Sequence, residues 1–361
     1  MPQPDVLIVG AGIFGLSAAF AAHRAGLTVQ VFDDPGSQGA ASPGLVGALT
    51  PHAPSRWRPM MAFQFNALLA LARRADLLKD LTGQDIGYAR LGRLTPLPNA
   101  KARERAERDI AAAPDVWGGN ASMTITDHVP AEASCWLAPA AAEAGLVHDD
   151  LSARVDPRDY LAALKRALPV GTLRYEKVLE LTASGVRTAL ADHSGAAVIL
   201  AAGWQGWGLA PKHLCGSGVK GQAALLRVDH TNPPLIYDNG LYVIPHRVGT
   251  VAVGSTSQKT FEGPDATDDQ LEGLIARAQS VCPALVGAPV IDRWAGVRPK
   301  PPGREPIIGP VPGTNVWMAT GGFKIGFGIA HLAGDVLIDM ITERTPAIEL
   351  PETFLPASHE A

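Results

Sequence analysis

Val6–Phe20 reads VLIVGAGIFGLSAAF, and the residues around it decide how the fold begins. Asp5–Val9 (DVLIV) is a short apolar run of the kind found in a parallel strand covered on both faces. Gly10, Gly12 and Gly15 follow with the spacing G-x-G-x-x-G. Small and apolar residues from Leu16 to Gly26 then predict a helix, with His23 and Arg24 near its end and Gly26 at its C-cap. Thr28–Phe32 (TVQVF) predicts a second strand, closing on Asp33 and Asp34.

A strand, a glycine turn, a helix and a strand ending in an acid together meet the needs of a dinucleotide. Gly10 permits the tight turn, Gly12 lets backbone approach a pyrophosphate, and Gly15 lets helix pack closely on strand. The turn and helix N-terminus, Ile13 and Phe14 included, offer unpaired N–H groups and a positive dipole end to phosphate. Asp33 suits ribose hydroxyls and would repel a 2′-phosphate. This unit alone leaves NAD and FAD both open.

The rest of the composition narrows the field. With 361 residues the chain can bury a large core, and 47% hydrophobic against 18% charged residues is ordinary for a globular protein. A net charge of −4 with no long basic run argues against nucleic acid. Cys135, Cys215 and Cys282 are widely spaced and odd in number, which predicts no disulfide framework and a reducing compartment. The ten histidines lack H-x-H or H-x-x-x-H spacing, so no metal is expected. The apolar start has no preceding Lys or Arg and is broken by glycines, unlike a signal peptide, and no apolar run reaches membrane-spanning length. We expect a soluble, cytoplasmic protein.

Further along, Pro35–Pro54 (PGSQGAASPGLVGALTPHAP) predicts a loop of small side chains suited to lying on a flat ligand. Phe63–Leu81 has helical apolar spacing, and Lys101–Asp109 (KARERAERD) reads as a solvated helix face. Asp156 and Pro157 open a helix through Leu168 as N-cap and first-turn residue. Ala197–Ala202 (AVILAA) is another buried strand, closed by Gly203 and Trp204. From Val219 to Ser257 the runs GQAALLRV, LYVIP and TVAVGST alternate as antiparallel strands do. Val297–Pro312 predicts a Pro-rich extended stretch, Asn315–Ala319 a strand, TGGFKIGFG a loop, and Leu332–Ile341 a helix. GSTSQKT (Gly254–Thr260) lacks the second glycine of a P-loop, and no G-x-S-x-G elbow occurs.

In order and over nearly the whole chain, these segments resemble the D-amino-acid oxidase family of FAD-dependent amine oxidoreductases. VLIVGAGIFGLSAAF with Asp33 resembles its first FAD fingerprint, though Glu is more usual at the last position. GAASPGLVGALTP resembles its second flavin loop, with Ala41, Ser42 and Gly47. LTGQDIGYARLGRL is similar to a substrate-domain segment of glycine-oxidase-like members, and VILAAGWQG to the strand and loop under the adenosine. AGVRPKPPGREPIIGPVPG and ATGGFKIGFG resemble the terminal signature.

The resemblance implies a mixed α/β fold, with a Rossmann-like FAD-binding domain interleaved with an antiparallel-sheet substrate domain. We expect the first from residues 1–80, 145–218 and 288–361, and the second from 81–144 and 219–287. It implies FAD as cofactor and oxidation of a C–N bond next to a carboxylate in a small amino acid or N-alkyl amino acid. Hydride would pass to flavin N5, leaving an imine for water to hydrolyse.

By the same resemblance Arg298, in GVRP, lies above the flavin, where its fork suits a substrate carboxylate. Tyr242 is the second carboxylate contact. Lys324 sits where flavin N1 and O2 lie, beside Gly322 and Phe323, with Ile325 and Gly326 assisting from the last helix. Val178, Ala202, Gly203 and Trp204 contact the adenosine half. His52, in LTPHAP, passes near the flavin. The position of the family's oxygen-activating lysine is Ala252, so the electron acceptor is O2 or another carrier. No cysteine follows Cys282, which implies non-covalent FAD. Two other classes stay open: a flavin monooxygenase fed by NAD(P)H, and a non-catalytic flavin-binding protein. In flavin hydroxylases a Gly-Asp pair precedes the last helix, whereas Gly334-Asp335 falls inside it. Self-association into a homo-oligomer is also open.

Overall fold

In the computed structural model, which describes residues 3–247, 249–303 and 305–359, two large sheets share the chain. The strand Val6–Val9 stands at the middle of a six-stranded sheet, between Ala197–Leu200 and Val29–Phe32. Val316–Thr320 and Leu173–Arg174 extend it in parallel, and Ile307–Pro310 closes one edge antiparallel. Every residue of Val6–Val9 and of Ala197–Leu200 is buried, as strands covered on both faces must be.

On one face lie helices α1 (Ile13–Arg24), α2 (Pro59–Thr82), α4 (Pro157–Arg166) and α6 (Gly326–Ile341), with α3 (Ala100–Trp117) beyond them. Helices α1 and α6 touch at Gly334, where a Cβ would stand 2.8 Å from the Ser17 backbone. Helix α4 begins as its sequence predicts, with the Asp156 carboxylate accepting from the N–H groups of Arg158 and Asp159. A three-stranded meander, Val178–Thr182, Gly185–Thr188 and Asp192–Ser194, covers the opposite face.

The second sheet has eight strands. Their order is Val290–Lys300, Ser217–Arg227, Thr250–Gly254, Leu241–His246, Leu235–Asp238, Arg93–Pro96, Leu146–Asp149 and Met123–Thr126. All neighbours are antiparallel except the pair Leu235–Asp238 and Arg93–Pro96. Helix α5 (Asp269–Val281) covers one face.

The mixed α/β class is as expected, but several local readings shift. Leu146–Asp149 and Val290–Lys300 fall in stretches expected to belong to the cofactor domain, yet both pair within the eight-stranded sheet. The prolines from Val297 onward suggest only an extended stretch, yet Ser217–Leu226 pair with Val290–Lys300 antiparallel along its length. Helix α6 starts six residues before Leu332, because its glycines, poor helix formers, are where it meets its neighbours. Among the described residues, no helix is long and apolar enough to cross a membrane.

Candidate active site

A cavity of about 890 Å³ opens where the carboxyl ends of the parallel strands face the eight-stranded sheet. Its first wall is the glycine turn. Gly10, at φ +104°, donates its N–H to Phe32 O at 2.7 Å, and a Cβ there would lie 2.7 Å from Ala201 O. A Cβ on Gly15 would stand 1.9 Å from Gly10 O, so helix and turn close completely and Gly15 stays behind the wall. Gly12, Ile13 and Phe14 line the cavity; helix α1 has no side-chain cap at Gly12, and Ser42 Oγ accepts from the Ile13 N–H at 3.0 Å. Asp33 Oδ1 accepts from the Ala11 N–H at 3.0 Å, joining acid and turn as one surface. Asp34, 3.4 Å from Lys177 Nζ, completes this end with Val178, Ala202, Gly203 and Trp204.

The loop with Ala41, Ser42 and Gly47 forms a second wall. Gly47 sits at φ +61°, and a Cβ there would come within 2.0 Å of Val155 O. Gly322, Phe323, Lys324 and Gly326 form the third. Phe14 packs against Gly322, leaving no room for a side chain there. Ile325 is the uncapped N-cap of α6 and lies behind the wall.

The eight-stranded sheet adds Arg298 and Tyr242. The Arg298 guanidinium lies against Gly221, where a Cβ would come within 2.6 Å of Nη1. Nη1 donates to Ser255 Oγ and Nη2 to the Thr256 carbonyl, each at 2.7 Å, while the buried Nε has no partner. No carboxylate pairs with it among the described residues, and burial pushes its pKa down to about 10. The direction is that of a desolvated cation without an anion. Lys324 Nζ and the Arg298 guanidinium each lie 5.7 Å from the Phe323 ring centre. Partial burial and the Arg298 charge lower the Lys324 ammonium. Tyr242 shares a 3.0 Å hydrogen bond with Thr50 Oγ1, and burial raises its phenol, keeping it protonated and able to donate.

His52 is elsewhere. It is half-buried behind the wall, with Nδ1 on Gln64 Oε1, and burial lowers its pKa. Gln64 Nε2 in turn donates to the Thr50 carbonyl at 3.1 Å, so His52 reaches the cavity only through the residue beside Tyr242. Ala252 is fully buried in the sheet core and does not line the cavity.

Sequence reasoning missed Thr320, whose buried hydroxyl lines the cavity with no partner among the described residues, and Trp294, Tyr237 and Phe327, which line it from other elements. It also set aside GSTSQKT, whose Ser255 and Thr256 hold Arg298. The signal available was a short polar run directly after a buried strand.

A family model described as FAD dependent oxidoreductase (DAO) matches residues 5–340. The chain belongs to this family. Glycine oxidase of Pseudomonas aeruginosa is 35% identical over 178 residues, 48% of this chain and 49% of that protein. The bifunctional protein ThiO/ThiG of Synechocystis sp. is 28% identical over 379 residues, 98% of this chain and 55% of that protein. The chain thus spans about half the length of these curated relatives. The crystal structure of glycine oxidase from Geobacillus kaustophilus shares the fold, with a TM-score of 0.85 at 23% identity over 98% of both chains.

FAD is the cofactor of DAO proteins, and this cavity fits it. The turn at Gly10 and Gly12 leaves backbone bare, and Asp33 stands at the end of the second strand. Three buried donors on the wall, Trp204 Nε1, Thr320 Oγ1 and Arg298 Nε, have no partner among the described residues. Among the described residues no group of three or more His, Cys, Asp or Glu could hold a metal ion.

Proposed function

We propose that the protein oxidises the C–N bond of a small amino acid or N-alkyl amino acid, using FAD. The observation that carries this is Arg298: a half-buried guanidinium on the cavity wall, braced by neutral acceptors and paired with no acid among the described residues. A carboxylate-bearing substrate supplies the missing anion. FAD, when bound, provides the hydride acceptor.

This chain's residues then have positioning work. Arg298 takes the carboxylate, and Tyr242 donates a second bond, so two fixed contacts decide which C–H faces the cofactor. Trp294, Val46 and Phe327 make the surrounding wall apolar and exclude water. Lys324 places a positive charge in the cavity, suited to negative charge gathering on the cofactor. Gly10, Gly12, Ile13, Phe14, Asp33, Ser42, Gly47, Val178 and Trp204 are the residues we assign to holding FAD. None of Cys135, Cys215 and Cys282 is among the described residues lining the cavity, which supports non-covalent attachment. The names of the relatives, glycine oxidase among them, support a small substrate. We also place the protein in the cytoplasm, on its three free cysteines.

The test is an anaerobic panel of glycine, sarcosine, proline and D-amino acids added to the purified flavoprotein. At least one should bleach the flavin absorbance. Peroxide on admitting air identifies O2 as acceptor, and bleaching without peroxide identifies another carrier. A flavin inert to every amine but reduced by NADPH sinks the proposal.

A further inference from the structure

Beneath Arg298, on the far side of the eight-stranded sheet, four polar side chains meet in one cluster that runs from buried Lys220 and Gln222 through half-buried Gln258 to exposed Asp268. Successive residues of Ser217–Arg227 alternate faces. Gly221 and Ala223 face the cavity side, whereas Lys220 and Gln222 point away from it. Gln222 is fully buried and Lys220 only 2% exposed. Gln222 Nε2 donates to Gln258 Oε1 at 2.9 Å and to Asp268 Oδ1 at 2.7 Å, and its Oε1 accepts from the Asp268 N–H at 2.8 Å. Gln258 Nε2 donates to Asp268 Oδ2 at 2.8 Å, and Lys220 Nζ stands 3.7 Å from that oxygen. Asp268 also caps α5 through the Gln270 N–H.

Packing against α5 alone does not call for such groups, since Ala224 and Leu226 on the same face manage with apolar contacts. Burying an amide and an ammonium costs free energy that only full pairing offsets. What the cluster ties down is the irregular chain between Gly254 and α5. Thr256 Oγ1 accepts from the Gln222 N–H at 2.9 Å, the Thr256 N–H donates to Gln222 O at 3.2 Å, and Lys220 and Gln258 exchange backbone bonds of 2.9 Å. That same segment presents Ser255 Oγ and Thr256 O to the Arg298 guanidinium. The bonds to the backbone of Lys220 and Gln222 hold the segment at Thr256 and Gln258. The side-chain cluster adds a second tether from Gln258 to the start of α5, without which the segment samples more conformations and carries those two acceptors with it.

We propose that Gln222 and Asp268 are positioning residues for substrate binding, fixing the guanidinium of Arg298 through Ser255 and Thr256. This rests on the reading of Arg298 as the carboxylate contact. The test uses FAD-loaded protein, with acetate as the probe of carboxylate binding, read from flavin absorbance, and steady-state kinetics on glycine or whichever panel substrate is active. Gln222→Leu and Asp268→Ala should each raise the acetate Kd and the substrate KM about tenfold, equivalent to about 1.4 kcal/mol, with kcat within about threefold and FAD content unchanged. Asp268→Asn, which keeps one acceptor for Gln222 and for the α5 cap, should recover most of the affinity. If both disruptive variants bind acetate like wild type while Arg298→Leu does not, the positioning role is wrong and the carboxylate contact survives. If Arg298→Leu itself binds acetate like wild type, the contact fails and takes the positioning role with it. Loss of FAD together with a collapse of kcat would mark the cluster as general scaffolding and refute the proposal. Should Gln222→Leu fail to fold, the Asp268 pair, at the exposed end of the cluster, decides alone.

Discussion

Replacing Arg298 by leucine removes a cavity cation braced by two hydrogen bonds of 2.7 Å, and its cost can be worked from the bonds it makes. A guanidinium has five N–H donors. One goes to Ser255 Oγ, one to Thr256 O, and a third leans on the Lys220 carbonyl at 3.5 Å. Two remain, including the unpartnered Nε–H, which is what a carboxylate needs. Charge-assisted bonds contribute about 1.5–3 kcal/mol each, so with partial compensation by water Arg298→Leu should weaken carboxylate binding by about 3–4 kcal/mol, a hundredfold or more. Arg298→Lys keeps the charge but not the fork and should lose about half of that. FAD should stay bound in both, because the glycine turn and Asp33 lie at the other end of the cavity. Acetate titration against flavin absorbance and substrate KM report the loss. An Arg298→Leu enzyme with acetate Kd and KM within twofold of wild type would falsify the carboxylate assignment.

Asp33→Ala removes the acceptor for the Ala11 N–H and the acid at the ribose end; the FAD Kd, titrated by flavin fluorescence on apoprotein, should rise about tenfold, with Asp33→Asn closer to wild type. Equal affinity in all three would remove Asp33 from the cofactor site. Gly334→Leu should cost about 3 kcal/mol or more in urea unfolding, since α1 and α6 leave no space for its Cβ; Gly328→Ala, whose Cβ meets Leu68 at an ordinary 3.5 Å, is the control. His331 is buried and bonded through Nε2 to Ala67 O at 3.0 Å, with burial, then Arg74, lowering its pKa to about 3. The unfolded chain therefore takes up a proton below about pH 6.5 while the folded one does not, so this contribution is present above that pH and is lost as pH falls toward about 3. Between pH 7.5 and 5.0 wild type should lose up to about 2 kcal/mol more than His331→Asn; parallel losses would show that His331 stays neutral for no such reason.

What was legible in the sequence was what local chemistry dictates. Gly10, Gly15 and Asp33 announce a turn, a close contact and an acid at a strand end, and each stands in that relation. Asp156 declares the cap of α4 just as directly. Arg298 was visible only through the resemblance carried by GVRP, and the residues that seat it were not visible at all. Ser255 and Thr256 are unremarkable in sequence, and Gln222 lies inside an apolar strand run. Their roles come from pairings between strands 34 to 78 residues apart, which no local pattern encodes. His52 shows the converse: its place in the flavin loop suggested the cavity, but Gln64 on α2 turns the ring away from it.

The spacing between the cavity end we assign to the cofactor and Arg298 follows from where the loop Pro35–Pro54 is fastened. By sequence that loop belongs with the glycine turn, since it lies just beyond Asp34. Its backbone, however, is held by the other sheet: Gly39 O accepts from the Val297 N–H at 2.8 Å, and Leu45 O from His246 Nε2 at 2.8 Å. Val46 packs on Gly254 so tightly that a Cβ there would come within 2.3 Å. Val297 precedes Arg298, and Gly254 precedes Ser255, which holds the guanidinium. The loop we assign to the cofactor and the arginine we assign to the carboxylate are thus anchored one residue apart on the same two strands. Their spacing is set by hydrogen bonds and packing to one sheet and not by how two domains dock, an arrangement that suits the proposed hydride transfer.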